Sequence, residues 1–198
     1  MALATATGIR TRSSICSSLR GCFLVLPLLL FGLSALADEP DPLGPFFYNT
    51  FGDLSEDLEN AYEEGKIGLL LFFEQPGCSY CERMRAGVFN DPVVQEWFKA
   101  RFLAIAVNIR SEVELTDFDG ITLPSREFAE HRRVYATPVL SFIAQDGTEV
   151  FRRSREITSS EELLLIGEYV ASKAYYDTTF DAYATSRRSA GLTKAPDQ

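Results

Sequence analysis

The stretch FFEQPGCSYCERM, residues 72–84, decides how this chain is read. An apolar run ends at the Pro76-Gly77 turn, and two cysteines come after it with two residues between them. A C-x-x-C can close a structural disulfide, hold a metal or shuttle electrons. On its N-terminal side, KIGLLLFFE is continuously apolar and too short for a buried helix, so it predicts a central strand covered on both faces. On its C-terminal side there is no breaker until Asn90-Asp91-Pro92, so a helix is expected to start at Cys78. The pair therefore stands at a strand-to-helix junction.

The whole-chain context narrows the three choices. The 198 residues are 46% apolar and carry a net charge of −9, enough for one cored domain and unsuited to a nucleic-acid partner. Residues 1–37 hold Arg10, Arg12 and Arg20, no acid, and then the apolar run GCFLVLPLLLFGLSALA. Basic, apolar and small-residue parts in that order predict a secretory signal. Ala35 and Ala37 place the cut after Ala37. An uncleaved membrane anchor is the competing reading, and the shortness of the run and Pro27 argue against it. Cleavage removes Cys16, Cys22 and three arginines, leaving 16 basic against 28 acidic residues, a charge of −12. Cys78 and Cys81 are then the only cysteines. A bridge over two residues closes almost no loop and stabilises a fold little, which weakens the structural reading. Zinc asks for four ligands or three plus water, and the cleaved chain offers only His131 and Met84 besides the pair. A two-thiolate copper carrier stays as an alternative. His131, among Glu130, Arg132 and Arg133, reads as a solvated surface residue.

The remaining pattern is helix, strand, helix, strand, helix, strand, strand, helix. Residues 38–53 read as a linker or N-terminal segment. A helix over 54–65 has Leu54, Leu58 and Ala61 at helical spacing, with Ser55 as the expected cap and Gly65 as the stop. Pro92 opens a second helical stretch with Val93, Trp97 and Val94 inward. Residues 102–109 are a second buried strand, and the polar, turn-rich 110–123 is a long loop with room for one short pairing. A helix from Pro124 carries Phe128 and Val134. Asp146-Gly147 between two strand patterns signals a hairpin. A long helix over 159–176 has a serine cap and acids in its first turn. Its Tyr169, Tyr175 and Tyr176, and Tyr183 beyond, are expected to pack on the sheet with hydroxyls outward. Trp97, Phe98 and Phe102 are expected core.

At a helix start, unpaired N–H groups and the dipole favour a thiolate, so Cys78 is the expected nucleophile. Cys81, one turn on, is the expected resolving thiol of a redox-active disulfide. Glu74 is the nearest acid and the candidate proton acceptor for Cys81. Tyr80, between the cysteines, is expected to be exposed and to line a substrate groove with Ser79.

With Cys78-Ser79-Tyr80-Cys81 at this junction and Thr137-Pro138 before a later strand, the chain resembles the thioredoxin superfamily over residues 54–183. LLFFEQPGCSYCERM, TDFDG, ATPVLSFI and EYVASKAYYDTTFDAY are similar to stretches of SoxW-type periplasmic thioredoxins. The resemblance implies an α/β thioredoxin-like fold, a central mixed sheet of four to five strands flanked by helices, spanning residues 54–185 with a flexible tail over 186–198. It implies a cis Thr137-Pro138 bond facing the cysteines and forming the substrate-binding backbone. It implies an extracytoplasmic, monomeric thiol–disulfide oxidoreductase without cofactor. The clients would be disulfide-containing proteins, such as those of sulfur oxidation or cytochrome maturation, and a membrane thiol transporter of the CcdA or DsbD type would recharge it. The chain departs from thioredoxins proper at two places. Phe72 stands where they bury an acid, and Gly77 replaces the tryptophan of W-C-G-P-C. Ser-Tyr is nearer the x-Tyr pairs of periplasmic disulfide isomerases, so oxidase and isomerase activity stay open beside reduction, as does a copper-binding or chaperone-like module.

Overall fold

The computed structural model describes residues 45–191. The expected leader over 1–37, its cut after Ala37, Cys16 and Cys22 lie outside the described residues.

The run Leu69–Phe73 forms the heart of β1 (Gly68–Glu74), and all five side chains are fully buried. Strand alternation sends Leu69, Leu71 and Phe73 to one face and Leu70 and Phe72 to the other. Both faces must therefore be covered, which is why the run carries no polar residue. β2 (Phe102–Asn108) pairs with β1 in parallel, Gly68 opposite Phe102 and Glu74 opposite Asn108. β5 (Val139–Ala144) pairs with β1 antiparallel, Phe73 opposite Val139. β6 (Glu149–Arg153) follows β5 through the Asp146-Gly147 hairpin. The sheet order is β2-β1-β5-β6, four strands, mixed as expected. β1 starts at a glycine because a Cβ at Gly68 would lie 2.0 Å from the Ile143 carbonyl oxygen.

Helices cover both faces. α1 (Leu54–Glu63) and α4 (Ser125–His131) pack with Leu58, Ala61, Phe128 and Ala129 on the Leu69/Leu71/Phe73 face. α2 (Ser79–Ala86), α3 (Pro92–Lys99), α5 (Ser160–Ala171) and α6 (Phe180–Ser189) pack on the other. The polar stretch after β2 contains the expected short pairing, β3 (Glu114–Thr116) with β4 (Thr122–Pro124).

Several local expectations are corrected. Asp53, not Ser55, caps α1: its carboxylate accepts from the N–H groups of Ser55 and Glu56, while the Ser55 hydroxyl donates to the Asp117 carbonyl. In α3 it is Val94, Gln95, Trp97 and Phe98 that are buried, and Val93 is 48% exposed. The core lies on the Val94, Trp97 and Phe98 side of α3, so Val93 falls on the solvent side. The long terminal helix breaks at Lys173, whose φ of +57° is left-handed, and a short 3-10 turn (Ala174–Tyr176) leads to α6. That break brings the buried Tyr169 under the turn, so its hydroxyl donates inward to the Thr178 carbonyl at 2.7 Å instead of pointing to solvent. α6 runs to Ser189, past the expected boundary at 185.

The described part of the 38–53 segment is not a free linker. Phe46 is buried against Phe89 and Phe98, and Phe47 stacks on Phe72. The Tyr48 N–H donates to the Ala104 carbonyl of β2 at 2.7 Å. The Thr50 hydroxyl then donates to Asp57 on α1. The segment is a strap around the β2 edge, with its rings on one face of the sheet and Thr50 on the other. A polar-looking DEPDP start hid two phenylalanines that pack on the core, while the Tyr48 N–H pairs with the β2 edge.

Candidate functional site

β1 ends at Glu74, and Gln75-Pro76-Gly77 turns the chain back over the sheet. Gly77 takes φ +73°, a left-handed conformation that favours glycine. The Cys78 N–H closes the turn on the Gln75 carbonyl at 3.2 Å. Cys78 is the N-cap residue of α2, one position outside the helix it was expected to begin. Its Sγ accepts the Cys81 N–H at 3.1 Å, as a serine oxygen does at other helix starts. An N–H aimed at this sulfur, with the positive end of α2 behind it, favours the thiolate whenever the bond is reduced. Cys78 and Cys81 are joined in a disulfide, with Cα atoms 5.2 Å apart. Both are nearly buried, Cys78 at 7% exposure and Cys81 at 2%, so Cys78 is the more exposed of the two residues.

The Thr137-Pro138 peptide bond is cis. Pro138 directly precedes Val139, the register partner of Phe73. The bond thus emerges at the end of the sheet where β1 turns toward Cys78. Among the described residues the backbone of 135–137 makes no hydrogen bond to another backbone group. Beside it opens a cleft of about 570 Å3, lined by Tyr80, Tyr135, Thr137, Pro138, Arg155 and Glu156, among others. Tyr80 is 52% exposed and forms one wall. Ser79 is exposed and is not part of the lining.

Two arginines of α2 tie the site to the rest of the fold. Arg83 lies over the Tyr80 ring, 4.7 Å from its centroid, and makes paired hydrogen bonds of 2.7 and 3.0 Å to Glu156. That contact holds the Glu156 carboxyl below its ordinary pKa and links α2 to the opposite wall. Arg85 makes the same paired contact with Glu74. Its guanidinium lies over Phe47 at 4.6 Å and Phe72 at 5.8 Å. The hydrogen bonds of the Glu74 carboxylate therefore run to Arg85, and the fold uses Glu74 to fix α2 against the end of β1. Sequence reasoning missed Arg83, Arg85, Tyr135 and residues 154–156, because Arg83 and Glu156 meet across 73 positions and no local pattern joins them. His131 is exposed at the end of α4, and Met84 is buried in the same core cluster as the cysteines. Among the described residues, no group of three or more His, Cys, Asp or Glu side chains is arranged to hold a metal.

The family model of a thioredoxin-like domain matches residues 54–171. Among solved structures, a thioredoxin-fold protein from Helicobacter pylori is similar at 24% identity and a TM-score of 0.58, over 76% of this chain and 92% of that one. A thioredoxin from Thermus thermophilus aligns at 27% identity and a TM-score of 0.47, over 60% of this chain and 83% of that one. The C-terminal domain of Neisseria meningitidis DsbD, in its oxidised form, aligns at 17% identity and a TM-score of 0.44, over 62% and 97%. No curated protein matches. The family match stops where α5 ends, so α6 lies beyond it.

Proposed function

From the premise that this chain belongs to the thioredoxin-like domain family, we propose that it is an extracytoplasmic thiol–disulfide oxidoreductase that reduces disulfides in client proteins. One observation carries the reading: Tyr80, which stands between the capped Cys78 and Cys81 in the chain, walls an open cleft that also holds the cis-bonded Pro138 and a backbone stretch with free hydrogen-bonding groups. An extended client segment can pair with residues 135–137 as an added strand, bringing its disulfide to Cys78.

The reduced pair then works in two exchanges. The Cys78 thiolate attacks one client sulfur, the client S–S bond breaks, and the other client sulfur leaves as a thiolate. Cys81, losing its proton, attacks Cys78 Sγ. The mixed disulfide breaks, the second client thiol is released, and the Cys78–Cys81 bond forms. Two electrons pass to the client. Regeneration needs two electrons from outside the chain, and a membrane thiol transporter of the CcdA or DsbD type is the expected donor. Resemblance to SoxW-type thioredoxins favours clients in sulfur oxidation or cytochrome maturation. The basic, apolar and small-residue series ending at Ala37 supports export. N-terminal sequencing of exported protein is expected to begin at Asp38. Full-length protein retained in membranes would remove that part of the reading.

The equilibrium potential of the Cys78–Cys81 couple tests the direction of electron flow. A value near that of thioredoxin, about −270 mV, supports a reductant. A value near that of DsbA, about −120 mV, replaces it with an oxidase.

A further inference from the structure

The cleft carries a charge pattern that disulfide exchange does not require. Arg133 follows α4 with φ +56°, and this left-handed residue turns the chain from the helix toward 135–137. It lies at the surface and lines the cleft. Among the described residues its guanidinium has no hydrogen-bond or ion-pair partner. Arg155, on the opposite wall, shares Glu162 with Arg153. Glu156, the acid in the lining, is already taken by Arg83. The lining itself holds two arginines, Arg133 and Arg155, and one acid, Glu156, and that acid is engaged. The chain as a whole has a net charge of −9, so this is a local reversal of sign and not a sample of the average surface. The positive end of α2 adds to it. Between the charges stand two flat, exposed rings, Tyr80 at 52% and Tyr135 at 73%.

We propose that the cleft selects client segments that carry carboxylates beside the cystine, and that Arg133 is the specificity-determining residue. The inference rests on the oxidoreductase reading and names its substrate class. An unpaired guanidinium in a partly enclosed cleft attracts a client carboxylate within the screening length of about 8 Å at physiological salt. The distant acidic surface acts on the same client more weakly, because salt screens it. The tyrosine rings supply contact area for an apolar or aromatic neighbour at low entropic cost.

Two peptides test this. They differ only in glutamates or lysines flanking one cysteine, and each cysteine is capped as a mixed disulfide with thionitrobenzoate. Attack by reduced Cys78 releases the coloured thiolate and leaves the peptide on the protein, and Cys81 then frees it. Rates are divided by those with dithiothreitol, which removes the intrinsic effect of the flanking charges on the disulfide. The full mature chain is expected to prefer the glutamate peptide by about three- to tenfold at low salt, a range set by one or two part-exposed charge pairs. The preference should shrink as salt rises. Arg133→Gln should reduce the ratio, and Arg133→Glu should invert it. Equal normalised rates, a lysine preference, or a ratio unmoved by Arg133→Glu would overturn the inference while leaving the oxidoreductase reading in place. Attack on neither peptide would remove both.

Discussion

The two faces of the sheet are covered differently. The face that receives Leu70 and Phe72 is aromatic: Phe46, Phe89, Trp97, Phe98, Phe102 and Phe142 pack there with both cysteines. The face that receives Leu69, Leu71 and Phe73 is mostly aliphatic, and it has α1, α4 and the β3–β4 hairpin over it. The difference follows from what each face must hold. α2 is eight residues long and buries only Cys81 and Met84, so it has little contact area of its own. Phe89 from the turn after it, and the strap that delivers Phe46, contribute large rings with few rotamers to lose. The aliphatic face also carries a short helix, the seven-residue α4, but that helix brings its own ring: Phe128 stacks on Phe73 with centroids 6.1 Å apart.

The largest expected effect separates chemistry from packing. Cys78→Ser should abolish disulfide reduction in an insulin-turbidity assay, and Cys81→Ser should accumulate a mixed disulfide with the client. Folded Leu71→Ala, altered on the aliphatic face, should keep the activity. If Cys78→Ser, which keeps only Cys81, instead reacts faster at neutral pH than Cys81→Ser, the assigned roles are reversed.

Next comes stability, measured by denaturant titration. Phe98 is fully buried and touches Phe46, Trp97, Phe102 and Phe142. Phe98→Ala should cost about 3–5 kcal/mol, and Leu71→Ala about 2–5 kcal/mol. The sharper expectation is that Phe98→Ala also loosens the disulfide helix, seen as faster amide exchange in α2, whereas Leu71→Ala does not. Equal exchange in both variants would break the contrast between the faces.

The smallest effect concerns Asp57, a buried acid at the aliphatic side whose oxygen accepts the Thr50 hydroxyl of the strap. Burial raises its pKa above the ordinary 3.8, against the lowering effect of that hydrogen bond. The folded state therefore binds a proton that the unfolded state has released. Stability falls as pH rises from about the unfolded pKa of ~3.9 through the raised folded value, and stays lower above it. Asp57→Asn keeps an acceptor for Thr50 and removes the charge. It should flatten that slope and raise stability at neutral pH relative to the parent. An unchanged pH profile in urea melts would show that Asp57 does not control it.

Much of this was legible in the order of residues. The run before Cys78, too apolar for any exposed element, demanded a strand buried on both faces. The Asp146-Gly147 pair marked a hairpin because few residues accept that turn. The cysteine pair after the strand and the Thr137-Pro138 dipeptide pointed to the thioredoxin-like family by resemblance, and the Thr137-Pro138 bond is cis as that resemblance implied. Each signal lies within a dozen residues. The strap was not legible: its two phenylalanines follow a proline-rich, acidic stretch, and only the folded core gives them a place. The phase of α3 and the break at Lys173 were likewise decided by which side the core occupies. Tertiary structure alone set Glu74 against Arg85, Arg83 against Glu156, and Arg133 beside the cleft. Such pairs join charged side chains that tolerate many neighbours, so they leave no periodicity in the chain. Hydrophobic burial writes its demand into consecutive residues, whereas an ion pair or a free guanidinium acquires its meaning only when folding brings distant segments together.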